Sequence, residues 1–447
     1  MKSYSQHLRE TISLSIPVSV GQLGFVMMGV VDSIMVGHNS AEALAASSLG
    51  SGVFILFLVL GLGISYAISP LVSIALGSNN EELLGDIFRQ SLVINLLTGF
   101  ILSLLVYGFS FVIPFLNQPE EVARLAQSYI VILGISIIPT MIFQSYKQFI
   151  EGFSFMRPAM IIAIAANFVN AFINWLLIYG NWGMPKLGLD GAGYATLASR
   201  IFMTSAMIYV TVNHRRFSAI RFSLLQYSVN KELIKKILSV GLPSGIQYFF
   251  EVGAFVSAAY IVGWLGTEQL AAHTIALNIS AISYMVTLGL SSAGAIRVGY
   301  EVGRKDVVET RKAGFSALIM AVLFMSVSAV ILILFRDQLV NIFTTESVVI
   351  AVATDLLIVA AFFQIFDGSQ AVGIGICRGL TDVTVPTYIT FFAYWIVGLP
   401  IGYVLGFWAN MGVIGVWIGL SLGLITSAVL LNTRFTFKSK NIIAVYK

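Results

Sequence analysis

Residues Ser13–Gly37 read SLSIPVSVGQLGFVMMGVVDSIMVG, and residues Ser239–Gly263 read SVGLPSGIQYFFEVGAFVSAAYIVG. Each stretch exceeds the roughly 20 apolar residues that cross a bilayer. Each carries an internal proline, Pro17 or Pro243, and one carboxylate, Asp32 or Glu251. They stand 226 residues apart, and that shift aligns Ser13–Gly77 with Ser239–Gly303 without a gap, 16 of 65 positions being identical. Pro17 meets Pro243, Val36-Gly37 meets Val262-Gly263, and Leu62-Gly63 meets Leu288-Gly289. Shared apolar composition does not explain an ungapped register through two spans and their loop. Further on, Gly188-Leu-Asp-Gly191 resembles Gly412-Val-Ile-Gly415.

The rest of the chain fits this pattern. Of 447 residues, 57% are hydrophobic and only 10% charged, with mean hydropathy +0.90. A water-soluble domain is nearer ~25% charged, so this is an integral membrane protein. Charge-poor runs give twelve spans, at about 12–36, 46–74, 90–114, 124–148, 158–180 and 190–212, then 236–263, 272–298, 312–335, 346–376, 386–408 and 412–434. The run from Val383 to Thr433 is too long for one helix, and Asn410-Met411-Gly412 is its natural turn. The apolar runs are continuous rather than alternating, which argues against a barrel. Lys2 and Arg9 precede a full-length span with no cleavage site, so the first helix is expected to remain.

With the N-terminus on side one, 21 of 25 basic residues fall on that side, which is therefore the cytoplasm, with both termini there. Six spans per half make the repeat parallel, about an axis along the membrane normal. The expected organisation is a six-helix lobe over 1–213, a basic cytoplasmic linker over 214–235, and a second six-helix lobe over 236–447. The fold class is all-α, two parallel-repeat six-helix bundles. A monomer is the default, and nucleic acid is not an expected partner.

Charge within a span is expensive, about 2.5–3.5 kcal/mol at the helix centre on an insertion scale. Three carboxylates lie well inside: Asp32 in the first span, Glu251 in the seventh and Asp367 in the tenth. Asp32 shares a helical stripe with Gln22, Phe25 and Gly29. Glu251 lies one turn after Gln247, Asp367 is flanked by Gln364 and Gln370, and Asn167, Asn170 and Asn174 share a face of the fifth span. Such stripes face protein or water, because lipid satisfies none of these groups. They either glue helices together or bind a mobile partner: a proton, a metal cation or a cationic substrate. Arg200 is the only basic residue expected inside a span. Candidate cavity-lining side chains are Gln22, Phe25, Met28, Gln247, Phe363 and Gln364, with rings and thioethers suited to adaptable contact with cations.

No G-x-x-x-x-G-K-[ST] sequence supports ATP hydrolysis. Four histidines and the single Cys377 form no metal-ligand spacing, and no G-x-S-G or G-x-G-D motif supports an intramembrane protease. No cofactor is expected.

Several motifs together resemble the multidrug and toxic compound extrusion (MATE) family. They are Val31-Asp-Ser-Ile-Met-Val-Gly37 with Glu42-Ala-Leu-Ala-Ala46, Gln364-Ile-Phe-Asp-Gly-Ser-Gln370 with Arg378-Gly379 and Pro386, Asn170 through Gly180, and Gly188-Leu-Asp-Gly-Ala-Gly193. The resemblance covers nearly the whole chain, and Glu251 with Asp367 is similar to the NorM-type branch. It implies a C-lobe cation site of Glu251, Asp367 and the Tyr284 ring, and an N-lobe polar site of Asp32, Asn170, Asn174 and Thr196 for protons or substrate. Phe363 stands where some relatives carry tyrosine. The implied activity is antiport of small organic, often cationic and aromatic drugs or dyes across the inner membrane, coupled to Na⁺ in preference to H⁺, with Glu251 and Asp367 as the Na⁺ ligands. A lipid-linked oligosaccharide flippase of the same broad fold is the alternative, with an intramembrane enzyme a distant third.

Overall fold

The computed structural model describes residues 3–116, 118–217 and 229–441, and every regular element among them is helical. The first half holds α1 (Tyr4–Gly37), α2 (Ala41–Ser65), α3 (Ile68–Gly77), α4 (Glu81–Ser110), α5 (Glu120–Gly152), α6 (Arg157–Tyr179) and α7 (Leu189–Asn213). The second holds α8 (Lys231–Gly263), α9 (Thr267–Gly303), α10 (Val307–Leu334), α11 (Arg336–Asn341), α12 (Ser347–Gly379), α13 (Thr384–Phe391), α14 (Leu399–Tyr403) and α15 (Gly412–Lys440). Twelve stretches are long and apolar enough to cross a membrane. Ten are single helices, the second joins α2 to α3, and the eleventh runs Thr384–Trp408 through two π-helical segments, Phe392–Gly398 and Val404–Trp408. The chain is thus the expected all-α, multi-pass membrane protein. Of the expected linker 214–235, residues 218–228 lie outside the described residues.

Loop polarity places the helix starts. Ser40, Asn80 and Asp306 cap α2, α4 and α10 by accepting the amides of Ala43, Leu83 and Glu309 at 3.0–3.1 Å; such caps satisfy donors that the helix itself cannot. Asn80 and Asp306 are equivalent under the 226-residue shift, as are the left-handed Asn79 (φ 54°) and Lys305 (φ 59°) before them. The turn expected at Asn410-Met411-Gly412 is present, with Asn410 (φ 55°) and Gly412 (φ 59°) left-handed. Its counterpart Gly188 has φ 55°. The repeat is therefore written in backbone as well as in residue identity.

Contacts divide the chain into two compact units, Val20–Gly245 and Met1–Ser19 with Ile246–Lys447. The cuts fall inside α1 and α8, two residues after Pro17 and Pro243, at repeat-equivalent positions. In the first unit, the start of α8 presses on α2: a Cβ at Gly63 would lie 2.4 Å from the Gly245 Cα and 2.7 Å from the Ser244 carbonyl oxygen. In the other, the start of α1 presses on α9: a Cβ at Gly289 would lie 2.7 Å from the Ser15 carbonyl oxygen and 2.9 Å from the Ser19 amide nitrogen. Gly63 and Gly289 are equivalent, and so are Gly245 and Ser19. One close helix crossing is built twice.

The first turns of α1 are further held by a buried charged network in their unit. Arg297 of α9 donates to the His7 carbonyl (2.7 Å), to Thr11 Oγ1 (2.6 Å), to Glu10 Oε2 (3.0 Å) and to His7 Nδ1. Since Nδ1 accepts, the His7 Nε2–H donates to Glu309 Oε2 at 2.9 Å. Lys312 donates to the other Glu309 oxygen at 3.0 Å. Arg297 is thus buried within α9, as Lys147 is within α5, and Arg378 is buried in the last turn of α12. Lys147 lies 3.8 Å from Glu151 and over the Phe25 ring.

Candidate functional site

In the Val20–Gly245 unit, α1, α6 and α7 bring together the four residues of the expected polar site. Asn174 Nδ2 donates to Asp32 Oδ1 at 2.6 Å, and Thr196 Oγ1 donates to Oδ2 at 2.9 Å. Asn174 also donates to Asn170 Oδ1 at 3.1 Å. All four are buried. Asn170 is a further hydrogen-bonding neighbour of Asp32, and Asn174 Oδ1 has no hydrogen-bond partner. Asp32 forms no salt bridge among the described residues. Arg200 lies within Coulombic reach of it but donates instead to Ser136 Oγ at 2.5 Å, with its guanidinium over the Phe54 ring at 4.9 Å. A buried carboxyl satisfied only by neutral donors can change its protonation without breaking an ion pair.

Around Asp32, side-chain packing joins α1 to α6 and to the unit's apolar core. Asn167 donates to the carbonyls of Gly24 and Ala163 at 2.9 Å, fastening α6 to α1. Met28 is packed in the unit's apolar core, Phe25 leans on Phe143 with centroids 6.0 Å apart, and Gln22 is half-buried.

In the other unit, a cavity of about 270 Å³ opens between α8, α9 and α12. Glu251, Tyr284, Asp367 and Phe363 all line it, with Tyr248 and Phe255 adding rings and Asn278 and Ser280 adding polar groups. Tyr284 reaches Glu251 through its hydroxyl, which donates to Oε1 at 3.0 Å. Glu251 Oε2 is buried with no hydrogen-bond partner. Gln247 and Gln364 are fully buried away from the lining: Gln247 donates to Thr390 Oγ1 at 2.9 Å, and Gln364 accepts from Ser328 Oγ at 2.8 Å. Among the described residues no group of three or more His, Cys, Asp or Glu side chains could hold a metal ion. Two carboxylates with several neutral oxygens nearby suit a monovalent cation better than a dedicated divalent one.

The MatE family model matches residues 17–176 and 243–404, one match in each half. The chain belongs to the MATE family. Multidrug resistance protein NorM of Aliivibrio fischeri is 32% identical over 445 residues, covering 99% of this chain and 97% of that protein. Multidrug resistance protein MdtK of Yersinia pseudotuberculosis is also 32% identical, over 98% and 97%. These matches put the chain with the NorM-type members. Among solved structures, the eukaryotic MATE transporter AtDTX14 superposes with TM-score 0.88 at 19% identity, covering 98% of each chain. An outward-facing multidrug resistance MATE transporter of the MOP superfamily gives 0.89 at 21% identity, covering 98% and 99%. At those identities the structures establish the MATE fold alone. The chain is a transporter and not an enzyme.

Sequence reasoning missed two side chains near the MATE C-lobe acids. Tyr394, in the π-helical segment of the eleventh span, is fully buried and its hydroxyl has no hydrogen-bond partner. Gln370, a flank of Asp367, lies within hydrogen-bonding reach of Glu251, and its buried amide oxygen has no hydrogen-bond partner.

Proposed function

We propose that this MATE protein is a cation-coupled multidrug antiporter. It exports small organic, often cationic and aromatic compounds by alternating access, with Na⁺ rather than H⁺ as the coupling ion. It sits in the inner membrane with both termini in the cytoplasm, consistent with the 21 basic residues assigned to that side. Full-length relatives that carry the name multidrug resistance protein support the export of drugs.

One observation carries the reading: an aromatic-walled cavity holds two carboxylates and no lysine or arginine. Ring faces and buried negative charge favour organic cations, and a cavity of about 270 Å³ is near the lower end of small-molecule pockets. A polyprenyl pyrophosphate would need the opposite charge, so the flippase alternative gains nothing here. Two nearby carboxylates repel, and a cation between them removes the repulsion and supplies counter-charge. A proton needs one acceptor only, whereas two acids on separate helices, α8 and α12, suit an oxygen-ligated metal ion. Sodium entry would draw those helices together and disturb drug contacts. In the N-lobe, Asp32 serves as the proton- or substrate-linked switch.

Isotopic Na⁺ binding to purified wild type, Glu251→Gln and Asp367→Asn tests the site. Saturable binding by the wild type and its loss in both variants is expected. Equal binding by all three refutes the site, and no binding by the wild type favours proton coupling.

A further inference from the structure

The two carboxylates alone make a poor cation site, because a hard cation takes several oxygen ligands. Further acids would leave excess negative charge in a low-dielectric interior, so the remaining oxygens should be neutral. The Tyr394 hydroxyl and the Gln370 amide oxygen are neutral, buried and without hydrogen-bond partners. A buried polar group left unpaired costs free energy, so a ligand that pairs with it accounts for its presence.

Their placement is fixed by neighbours. Trp395 Nε1 donates to the Phe250 carbonyl at 3.0 Å, which pins the π-helical segment to α8 beside Glu251. One turn earlier, Gln247 donates to Thr390. The Tyr394 ring packs on Phe255, a wall of the cavity, with centroids 5.8 Å apart. Its hydroxyl lies within Coulombic reach of both Glu251 and Asp367. The π turn admits one more residue per turn than an α turn, and such turns concentrate at functional sites. Gln370 follows Asp367 by three residues on the same helical face, and its side chain stands within hydrogen-bonding reach of Glu251.

We propose that Tyr394 and Gln370 supply neutral oxygen ligands to the cation held by Glu251 and Asp367, completing a shell that the carboxylates leave open. The proposal rests on the cation-site reading above and names the part of the shell that reading lacks. In the absence of Na⁺ the phenol is a cost, and with Na⁺ bound it is a ligand. The two states therefore respond to its removal with opposite sign.

The test is Na⁺ affinity and thermal stability of purified wild type, Tyr394→Phe and Gln370→Leu, each measured in Na⁺-free and Na⁺-containing buffer. Tyr394→Phe should be at least as stable as wild type without Na⁺, since it removes an unpaired buried hydroxyl. It should nonetheless bind Na⁺ about tenfold more weakly and gain less stability from added Na⁺. Gln370→Leu should likewise bind Na⁺ about tenfold more weakly and gain less stability from added Na⁺. Wild-type Na⁺ affinity in both variants overturns the shell while leaving Glu251 and Asp367 as the site. An absence of Na⁺ binding by the wild type overturns the cation site itself and the shell with it.

Discussion

Asp32→Asn is expected to fold, to survive purification with wild-type stability or better, and to lose drug efflux by about tenfold or more. The side chains have nearly the same shape, and the change removes a buried charge whose partners are all neutral: Asn174, Thr196 and Asn170. The amide keeps one acceptor for the Asn174 donor, and the Thr196 hydroxyl can turn to accept from the new NH₂. What is lost is the capacity to change charge. If Asp32 is a switch, the variant is frozen in its neutral state and transport stalls. Efflux at the wild-type rate would reduce Asp32 to a helix-gluing role.

The largest stability losses should come from the doubled helix crossing. Gly63→Ala and Gly289→Ala each place a methyl against main-chain atoms, nearest at 2.4 Å from the Gly245 Cα for Gly63 and 2.7 Å from the Ser15 carbonyl for Gly289. A Ser19 rotamer change relieves part of the Gly289 clash, but the backbone contacts remain. Parting two packed helices costs about 1–3 kcal/mol or more. Gly52→Ala in α2 meets nothing within 4 Å and should stabilise that helix by about 1 kcal/mol, as alanine for glycine usually does. The order to find, in thermal unfolding of the detergent-solubilised protein, is Gly52→Ala above wild type and both crossing variants below it. Crossing variants as stable as Gly52→Ala would contradict the close approach.

The twelve spans and their repeat were legible because hydropathy and register act along the chain. A run without charges must be buried in lipid or protein, and an ungapped shift of 226 residues carries caps, turns and the Gly63 and Gly289 positions with it. The three intraspan acids stood out for the same reason, since a carboxylate among apolar residues is too costly to be incidental. Thr196 was the hardest of the N-lobe residues to place from sequence, yet its hydroxyl reaches Asp32 at 2.9 Å; a threonine in a helix carries no signal until its partner is known. Lys147 and Arg297 read as span-end charges, while their helices continue for more than a turn beyond them. Tyr394 was hidden among the rings of Phe391-Phe-Ala-Tyr-Trp395, where any aromatic reads as lipid-facing. A π turn then shifts the face that a 3.6-residue period would assign. The exchange of the first turns of α1 and α8 between units is a tertiary fact with no local signature beyond the two prolines.

The coupling is tested most directly in proteoliposomes holding purified wild type and a cationic aromatic dye, with an imposed Na⁺ gradient and equal pH on both sides. Dye should move against the direction of Na⁺ flow in the wild type, and this movement should vanish in Glu251→Gln and Asp367→Asn. Dye movement that ignores the Na⁺ gradient, or that persists in both variants, would contradict Na⁺-coupled antiport through the Glu251 and Asp367 site.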